Sequence, residues 1–193
     1  MKKSTIGLLV VVAVIAIWAI SGYNGLVNEE ETVSNAWAKV QSDYQRRADL
    51  IPNLVNVVKG YAEHEKGTLE SVINARAKAT QMNINAEDLN EETIKKIQEV
   101  QGELSSALNK LMAVNERYPE LKADEQFKNL QVQLEGTENR IKESRNHYND
   151  AVKDYNVRVR KFPKNIIANI FGFQTKPAFE ADVDAQKAPE VKF

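Results

Sequence analysis

RRADLIPNLV, residues 46–55, decides how many helices the first half of this chain forms. It places two adjacent arginines and a proline in the middle of an apolar pattern with helical spacing. The pattern nevertheless continues through the stretch, because Tyr44 precedes it and Ile51 and Leu54 keep the same spacing inside it. We therefore predict one long helix that bends at Pro52, where the proline ring removes a backbone donor, and not two helices joined by a linker.

Apolar and aromatic residues recur every three or four positions in three segments of the chain, residues 33–79, 94–118 and 127–162. This spacing is typical of helices that bury one face in a bundle. The connections between the segments are short, which favours antiparallel neighbours. The sequence thus predicts an all-α fold, in which an antiparallel bundle of three long helices is followed by a short C-terminal helix.

Short polar side chains and a proline mark the predicted helix ends. Asp88 or Asn90 can cap the second helix and Asp124 the third, because such side chains accept the free N–H groups of a first helical turn. Tyr118-Pro119 ends the second helix, since a residue before proline leaves the helical region.

Turns near residues 85 and 121 would close this bundle and make its first helix clearly longer than its second. Antiparallel pairing then brings the arginine pair beside the turn RYPELKAD, residues 117–124. The short apolar element NIIANIFGF, residues 165–173, would lie at the opposite end of the bundle, far from the N-terminal segment.

Polar residues of RRADLIPNLV and of the facing turn are predicted to close a junction at one end of the bundle. Arg47 occupies a position of the apolar stripe, and we predict an ion pair with Glu120 or Asp124, because a planar guanidinium binds a carboxylate through two N–H groups. The alternative is an arginine that lays its stem on apolar surface and keeps its head in water. The predicted junction consists of Arg46, Arg47, Asp49, Pro52, Tyr118, Pro119, Glu120 and Asp124.

The segment IGLLVVVAVIAIWAISGY, residues 6–23, contains no charged residue. As a helix it would be about 27 Å long, close to the roughly 30 Å of a bilayer's hydrocarbon core. We predict a retained transmembrane helix, and a signal peptide cleaved at residues 19–21 is the alternative. Lys2 and Lys3 precede the segment and an acidic run follows it, so the positive-inside rule predicts a cytoplasmic N-terminus, with the bundle outside the cell membrane.

These predictions divide the chain into a cytoplasmic N-terminus (1–5), a single transmembrane helix (6–23), a bundle domain (24–179) and a flexible tail (180–193). The formal net charge is −1, so bulk electrostatics indicate no nucleic-acid partner. The chain has no cysteine, which excludes disulfides, thiol nucleophiles and iron–sulfur clusters.

The remaining titratable residues form no recognisable catalytic or metal-binding pattern. His64 and His147 lack the local spacing of a metal site, so we predict exposed histidines. Glu63 and Glu138 could act as paired catalytic carboxylates only inside the bundle core, and surface charge is the better interpretation. We therefore predict no catalytic residue, no cofactor and no metal.

Tyr-Asn pairs at residues 148–149 and 155–156 are one heptad apart, so both tyrosines face the same way. The spacing predicts two core tyrosines whose hydroxyls reach the rim. A ligand-binding aromatic ladder is the alternative.

Two apolar surfaces are predicted to be available to partners. The first helix would expose one stripe below the bundle, where it could pair with other copies of the chain, and the short C-terminal element would expose the other. The stripe consists of Val33, Trp37, Val40 and Tyr44, and the second surface of Ile166, Ile167, Ile170, Phe171 and Phe173.

Several segments follow one another in a fixed order: YNGLV after the apolar span, QRRADLIPNLV, VKGYAEHE, the YPELKA turn, LEGTENRI and SRNHYNDAV. Together they resemble the bacterial LemA family, from the span to Phe179. The resemblance implies a membrane-anchored, antiparallel helical bundle. It assigns no catalytic residue to any position of this sequence.

We therefore expect a non-enzymatic, single-pass membrane protein of the bacterial cell envelope that acts as a helical scaffold or interaction module. Self-association and unidentified protein partners are further expectations. One alternative is a membrane-remodelling or membrane-bridging protein that inserts residues 165–173 into lipid. The other is an enzyme with a carboxylate or metal site in the bundle core.

Overall fold

A computed structural model describes residues 3–82 and 84–180, with side chains from residue 6 onward. Every regular element in these ranges is a helix, which confirms the predicted all-α class. The α-helices are α1 (Lys3–Tyr61), α2 (Lys66–Gln81), α3 (Glu91–Met112), α4 (Pro119–Ala123), α5 (Glu125–Arg160) and α6 (Lys164–Phe171). Short 3₁₀ turns at Ala86–Asp88 and Ala113–Arg117 lie on either side of α3.

The first apolar stripe is divided between two helices. α1 ends at Tyr61, and the chain reverses between Ala62 and Glu65 before α2 begins. The prediction of three long helices was therefore wrong, because the bundle is built from α1, α2, α3 and α5. Tertiary contacts hold the missed turn: the Tyr61 hydroxyl donates to Asp124 at 2.9 Å, and Arg117 pairs with Glu65 at 3.0 Å.

RRADLIPNLV lies inside one continuous helix, as its apolar spacing predicts. α1 continues through Pro52 without a break, and the proline lies on its exposed face. The predicted boundary between the apolar segment (residues 6–23) and the bundle also falls inside α1. A single helix therefore joins the apolar segment directly to the bundle core.

The four bundle helices run up, down, up and down between two ends of the molecule. We call the end next to the apolar segment the proximal end, and the end with the α1–α2 turn the distal end. α5 packs along α1, whereas α2 packs along α3 and α1. α5 therefore returns the chain to the proximal end.

α6 lies at the proximal end, and its predicted position at the opposite end was wrong. The ring of Tyr23 meets Phe171 at 4.9 Å and Phe173 at 5.6 Å, both edge to face. Gly22 leaves room for the side chain of Ile167, which a Cβ at this position would overlap. The prediction failed because the missed turn reverses the direction of every later helix.

The buried core forms two apolar clusters along the bundle. The distal cluster includes Leu54 and Leu111, and the proximal cluster includes Trp37 and Tyr148. Arg47 is also buried and lies between the two clusters on α1. Each fully buried large apolar side chain contributes about 1.5–3 kcal/mol, so the clusters, and not the polar residues between them, supply most of the stabilisation.

Side-chain caps fix where α3 and α5 begin. Asn90 Oδ1 accepts the Thr93 N–H at 2.9 Å, while Thr93 Oγ1 accepts the Asn90 N–H at 2.8 Å, which completes a capping box. Asp124 Oδ1 accepts the Phe127 N–H at 2.8 Å. Asn90 and Asp124 are both caps that the sequence predicted.

Asp124 should make the stability of the distal end depend on pH. The Phe127 N–H, followed by the Tyr61 hydroxyl, lowers the pKa of Asp124. The Asp124 carboxylate thus binds a proton more weakly in the folded chain than in the unfolded chain. Its contribution to the free energy of unfolding is therefore present above the ordinary pKa of about 4, and it is lost as the pH falls through the lower pKa of the folded chain. Between roughly pH 6 and pH 3, the thermal midpoint of Asp124→Asn should fall less than that of the wild type. Circular dichroism measures both midpoints, and equal slopes would contradict this role.

Candidate functional site

Arg47 is the charged residue that the fold buries most deeply among those described, with 1% of its surface exposed. It lies on α1 at the level where the two apolar clusters meet. A buried charge is tolerated only when hydrogen bonds and an opposite charge compensate for its lost hydration. The surroundings of Arg47 supply both at its two terminal nitrogens, whereas its buried Nε has no hydrogen-bond partner among the described residues.

Three helices contribute to the site, through Arg47, Gln101, Ser105 and Glu138, which we call the arginine layer. One terminal nitrogen of Arg47 donates to the Ser105 hydroxyl at 2.8 Å and to the Glu138 carboxylate. The other terminal nitrogen donates to Gln101 Oε1. Since Gln101 and Ser105 belong to α3 and Glu138 to α5, one guanidinium holds α1, α3 and α5 together.

The acidic partner of Arg47 faces solvent. The Glu138 side chain is 44% exposed, whereas the Arg47 side chain is almost fully covered. A groove of about 850 Å³ opens between α3 and α5 beside this pair, and Lys110 and Arg145 also line it. Small-molecule sites are mostly apolar and enclosed. The open, polar groove therefore favours a surface for polar contacts over a substrate pocket.

The predicted junction is split between two levels of the bundle. Arg47 does form an ion pair, but the predicted partners, Glu120 and Asp124, lie at the distal end with Tyr118 and Pro119. Because the turn at residues 62–65 was missed, the turn at residues 117–124 was predicted to lie beside Arg47. It lies instead at the distal end, further along the bundle. Of the remaining junction residues, Arg46, Asp49 and Pro52 are exposed on α1.

The predicted stripe for partner binding is largely covered by the chain itself. Val33, Trp37 and Val40 are buried in the proximal cluster, and Tyr44 is half-buried against it. The indole N–H of Trp37 donates to the Ile84 carbonyl at 2.8 Å. The prediction was wrong because α5 and the C-terminal segment extend down to this level and cover the stripe.

Residues 173–180, which we call the strap, run back along the bundle after α6. Asn156 binds the backbone of Lys176 on both sides: its Nδ2 donates to the carbonyl and its Oδ1 accepts the N–H, each at 2.8 Å. Asn149 binds Phe179 in the same way, at 3.1 and 2.8 Å. Each side-chain amide thus satisfies backbone groups of the extended segment, as a neighbouring strand would.

Phe179 anchors the strap in the proximal cluster. Its ring lies 5.4 Å from Tyr148 and 6.1 Å from Trp37, with the Arg145 guanidinium 4.7 Å away. The Tyr148 hydroxyl donates to the Pro177 carbonyl at 2.9 Å. Burial raises the pKa of Tyr148 far above its ordinary value, so its hydroxyl remains a donor at every physiological pH.

The two Tyr-Asn pairs of α5 hold the strap, a role that the sequence analysis did not predict. The tyrosines are buried, as predicted, but the Tyr155 hydroxyl is buried as well and does not reach the rim as predicted. Burial raises the pKa of Tyr155 to about 12. The asparagines that follow them bind the strap. The heptad spacing was the available signal, because it places both amides on one face of α5. Of the predicted flexible tail, Glu180 belongs to the strap and residues 181–193 lie outside the described residues.

Removing one asparagine should free one end of the strap and leave the other in place. In Asn149→Ala, hydrogen exchange of the Phe179 amide should accelerate roughly tenfold, because its acceptor is lost, while the Lys176 amide keeps its protection. Asn156→Ala is the matched control and should give the reverse pattern. Hydrogen exchange read by NMR resolves both amides. Equal acceleration at both amides in either variant would mean that the strap detaches as one unit.

Apart from the apolar segment itself, most of the large exposed apolar side chains among the described residues lie at the proximal end. Ile167 is buried against the bundle and Phe173 is half-buried, so these two members of the predicted second surface are packed within the protein. The other members, Ile166, Ile170 and Phe171, are exposed, and so is Phe162 in the turn before α6.

The residues weighed as catalytic or metal-binding do not converge. Glu63 lies in the distal turn and Glu138 in the arginine layer, roughly 20 Å apart along the bundle axis by helical rise. His64 is exposed in the same turn as Glu63, and His147 is exposed on α5. Within residues 3–82 and 84–180, no three His, Asp or Glu side chains are grouped so that they could hold a metal.

The geometry defines a class of protein: a four-helix bundle whose first helix begins with a segment long and apolar enough to cross a membrane. A model of the LemA family matches residues 36–193, and the chain belongs to the LemA family. Protein LemA of Metamycoplasma hominis is 22% identical over 170 residues, which cover 85% of this chain and 74% of that protein.

Shorter matches connect the chain to magnetosome proteins. Magnetosome protein MamQ 2 of Paramagnetospirillum magneticum is 37% identical over 79 residues, or 41% of this chain. Magnetosome protein MamQ of Magnetospirillum gryphiswaldense is 34% identical over 73 residues, or 38% of this chain. The matches cover only 29% and 27% of those proteins, so the chain spans less than a third of their length.

Proposed function

We propose that this protein is a membrane-anchored, non-enzymatic scaffold or interaction protein of the bacterial cell envelope. The continuity of α1 carries this proposal. Its apolar segment is exposed over most of its length, and the same helix then enters the proximal cluster at Leu26 without an intervening loop. A rigid connection of this kind transmits the orientation of the anchor to the bundle, which suits a protein that presents a surface at a fixed height above a membrane.

The flanks of the apolar segment support one orientation. Basic residues precede it, and the acidic run after it is bound by the bundle: Glu29 pairs with Arg158 at 2.9 Å and Glu30 with Lys176 at 2.7 Å. Positive charges are retained on the cytoplasmic side. These flanks support a cytoplasmic N-terminus and a bundle outside the cell membrane.

A binding role is better supported than catalysis. The buried charge of Arg47 is engaged by the three other members of the arginine layer, so it serves to hold helices together. The neighbouring groove is wide and lined by amides such as Gln98 and Asn109 and by the hydroxyl of Ser106, which suit recognition of a polar surface.

The stripe from which self-association was predicted is occupied within each molecule, so association through it would require the strap to leave. Bridging to a second membrane has lost its geometric basis, since α6 lies beside the anchor and not at the far end. A bundle that presents its distal end and its groove to partners is the form of the proposal that the geometry supports best.

Alkaline extraction and thiol labelling test the anchor and its orientation. The chain lacks cysteine, so single cysteines can be introduced without background. We expect the full chain to stay in the membrane fraction at alkaline pH. In intact cells, a membrane-impermeant maleimide should label Val132→Cys, an exposed position of α5, and should label Ser4→Cys only after permeabilisation. Release of the protein by alkali would refute the anchor, and the reverse labelling pattern would refute the orientation.

A further inference from the structure

We propose that α6 and the preceding Phe162, together called the foot, lie on the surface of the same membrane that holds α1. In this arrangement the exposed apolar side chains of the foot enter the boundary between lipid headgroups and acyl chains. The inference rests on the proposed function, since it requires that α1 is anchored in a membrane.

The foot lies at the level where the apolar segment ends. Tyr23 is the last residue of that segment, and its ring touches Phe171 and Phe173. Gly22 accommodates Ile167, and Lys164 approaches Gly25 about one turn further along α1. When α1 spans a bilayer, these contacts hold α6 at the height of the headgroups. Tyrosine near a helix end is itself typical of this layer.

The outer face of the foot is apolar and uncovered. Ile166, Ile170, Phe171 and Phe162 are between 44% and 75% exposed, while the inner face packs on the bundle through Ile167 and Ala168. A soluble surface seldom places so many large apolar side chains together unless something covers them. An exposed apolar helix face with flanking cations is typical of helices that lie at a membrane surface.

A lipid surface fits this face better than a second copy of the chain. The apolar face is continuous with the apolar segment of α1, which is already assigned to lipid. Arg160, Lys161 and Lys164 surround Phe162, and cations at this height attract anionic headgroups. Of the three acidic residues at the same level, Glu29 and Glu30 are already paired with Arg158 and Lys176, and Glu31 is exposed.

Two attachments to one membrane restrict how the bundle can tilt. α1 alone would allow the anchor and the bundle to tilt together in any direction. The foot adds a second contact on the side of α5, and Gly172, with its left-handed φ of 79°, ends α6 so that the strap can turn back onto the bundle. The bundle is thereby held at one angle to the membrane surface.

Depth-dependent quenching in vesicles tests the foot directly. Single cysteines at Ile170, Val132 and Val12 of the full chain carry an environment-sensitive fluorophore, in vesicles of phosphatidylcholine with and without phosphatidylglycerol. Lipids with a nitroxide near the headgroup or at mid-chain act as quenchers. All three positions are exposed, so the labels should not disturb folding. Ile166→Cys provides a second label on the foot.

We expect the label at residue 170 to be quenched severalfold more strongly by the shallow than by the deep nitroxide, and more strongly when phosphatidylglycerol is present. The label at residue 12 should respond to the deep nitroxide, and the label at residue 132 to neither. Quenching at residue 12 without quenching at residues 166 and 170 would overturn the foot and leave the anchor intact. No quenching at residue 12 would overturn the anchor itself. A third result would also overturn the lipid contact: the fluorophore at residue 170 reports burial that increases with the number of protein molecules per vesicle, but nitroxide lipids do not quench it. That result would assign the face to a second copy of the chain.

Discussion

Replacing Trp37 with alanine should lower the free energy of unfolding of the bundle by about 4 kcal/mol. Only 2% of Trp37 is exposed, and its ring meets Tyr148 edge to face at 5.6 Å. The substitution would leave a cavity between α1, α5 and the strap, and it would deprive the Ile84 carbonyl of the indole N–H. Urea unfolding of the full chain in detergent micelles, followed by circular dichroism, measures the change.

Trp18→Ala is the matched control for this experiment. Trp18 is the other tryptophan of the chain and lies in the apolar segment, outside both apolar clusters. Its replacement should change the unfolding of the bundle by less than about 0.5 kcal/mol. If Trp37 were instead a surface residue for other copies, Trp37→Ala would keep near-native stability and lose self-association. That outcome would show that the stripe is not buried within one molecule.

Arg47→Ala should lower the free energy of unfolding by about 3 kcal/mol. The substitution removes a long buried stem that packs between the apolar clusters, and it leaves Gln101 and Ser105 without their donor. Glu138 suffers less, because it is half exposed and water can replace the guanidinium. The loss of stability should therefore come mainly from the lost packing of the Arg47 stem and from the unpaired amide of Gln101. The same urea experiment measures it.

Two further substitutions separate the causes of the Arg47 effect. Arg46→Ala removes the adjacent, exposed arginine and should cost less than about 0.5 kcal/mol. Arg47→Met keeps most of the stem and removes the charge, so it should fall between the other two variants, at about 1–2 kcal/mol. Equal unfolding midpoints for Arg46→Ala and Arg47→Ala would contradict the role of Arg47 as the link between α1, α3 and α5.

Much of the local structure could be predicted from the sequence. Apolar spacing indicated which segments are helical, and Asn90 and Asp124 correctly marked the starts of two helices. The predicted continuity of the helix through Pro52 was confirmed. The position of Arg47 within an apolar stripe correctly indicated an unusual arginine. These features are local, because each depends on residues within one or two helical turns of one another.

Most of the errors follow from one turn that has little local signal beyond Gly60 and Gly67 on either side of it. Residues 62–65, AEHE, contain neither proline nor glycine, and the apolar spacing is the same on both sides of them. The chain reverses there because Leu69 and Val72, which follow the turn, are buried in the distal cluster. Tyr61 and Glu65 bind Asp124 and Arg117 at the same end of the bundle. One missed reversal changed the partner predicted for Arg47 and moved α6 from one end of the molecule to the other.

The strap was equally beyond local prediction. Phe179 lies in a mostly polar, proline-containing stretch, and its burial depends on Trp37 and Tyr148, which are distant in sequence. The asparagines that bind its backbone give no propensity signal for such a contact. Long-range contacts thus decide both the route of the chain and the surfaces that remain for a membrane or a partner.

The central claim is that the bundle returns the chain to its anchor, so that α6 lies beside the end of the apolar segment. Intramolecular crosslinking of the full chain in native membranes tests this with two matched cysteine pairs that share Phe171→Cys. The first pair adds Tyr23→Cys, whose ring is 4.9 Å from Phe171, and the second adds Tyr61→Cys at the distal end of α1, roughly 55 Å further along that helix. A short bismaleimide should join the first pair within one chain and leave the second unjoined. Crosslinking of the second pair, or failure of the first, would contradict the proximal position of α6 and with it the arrangement proposed for this protein at the membrane.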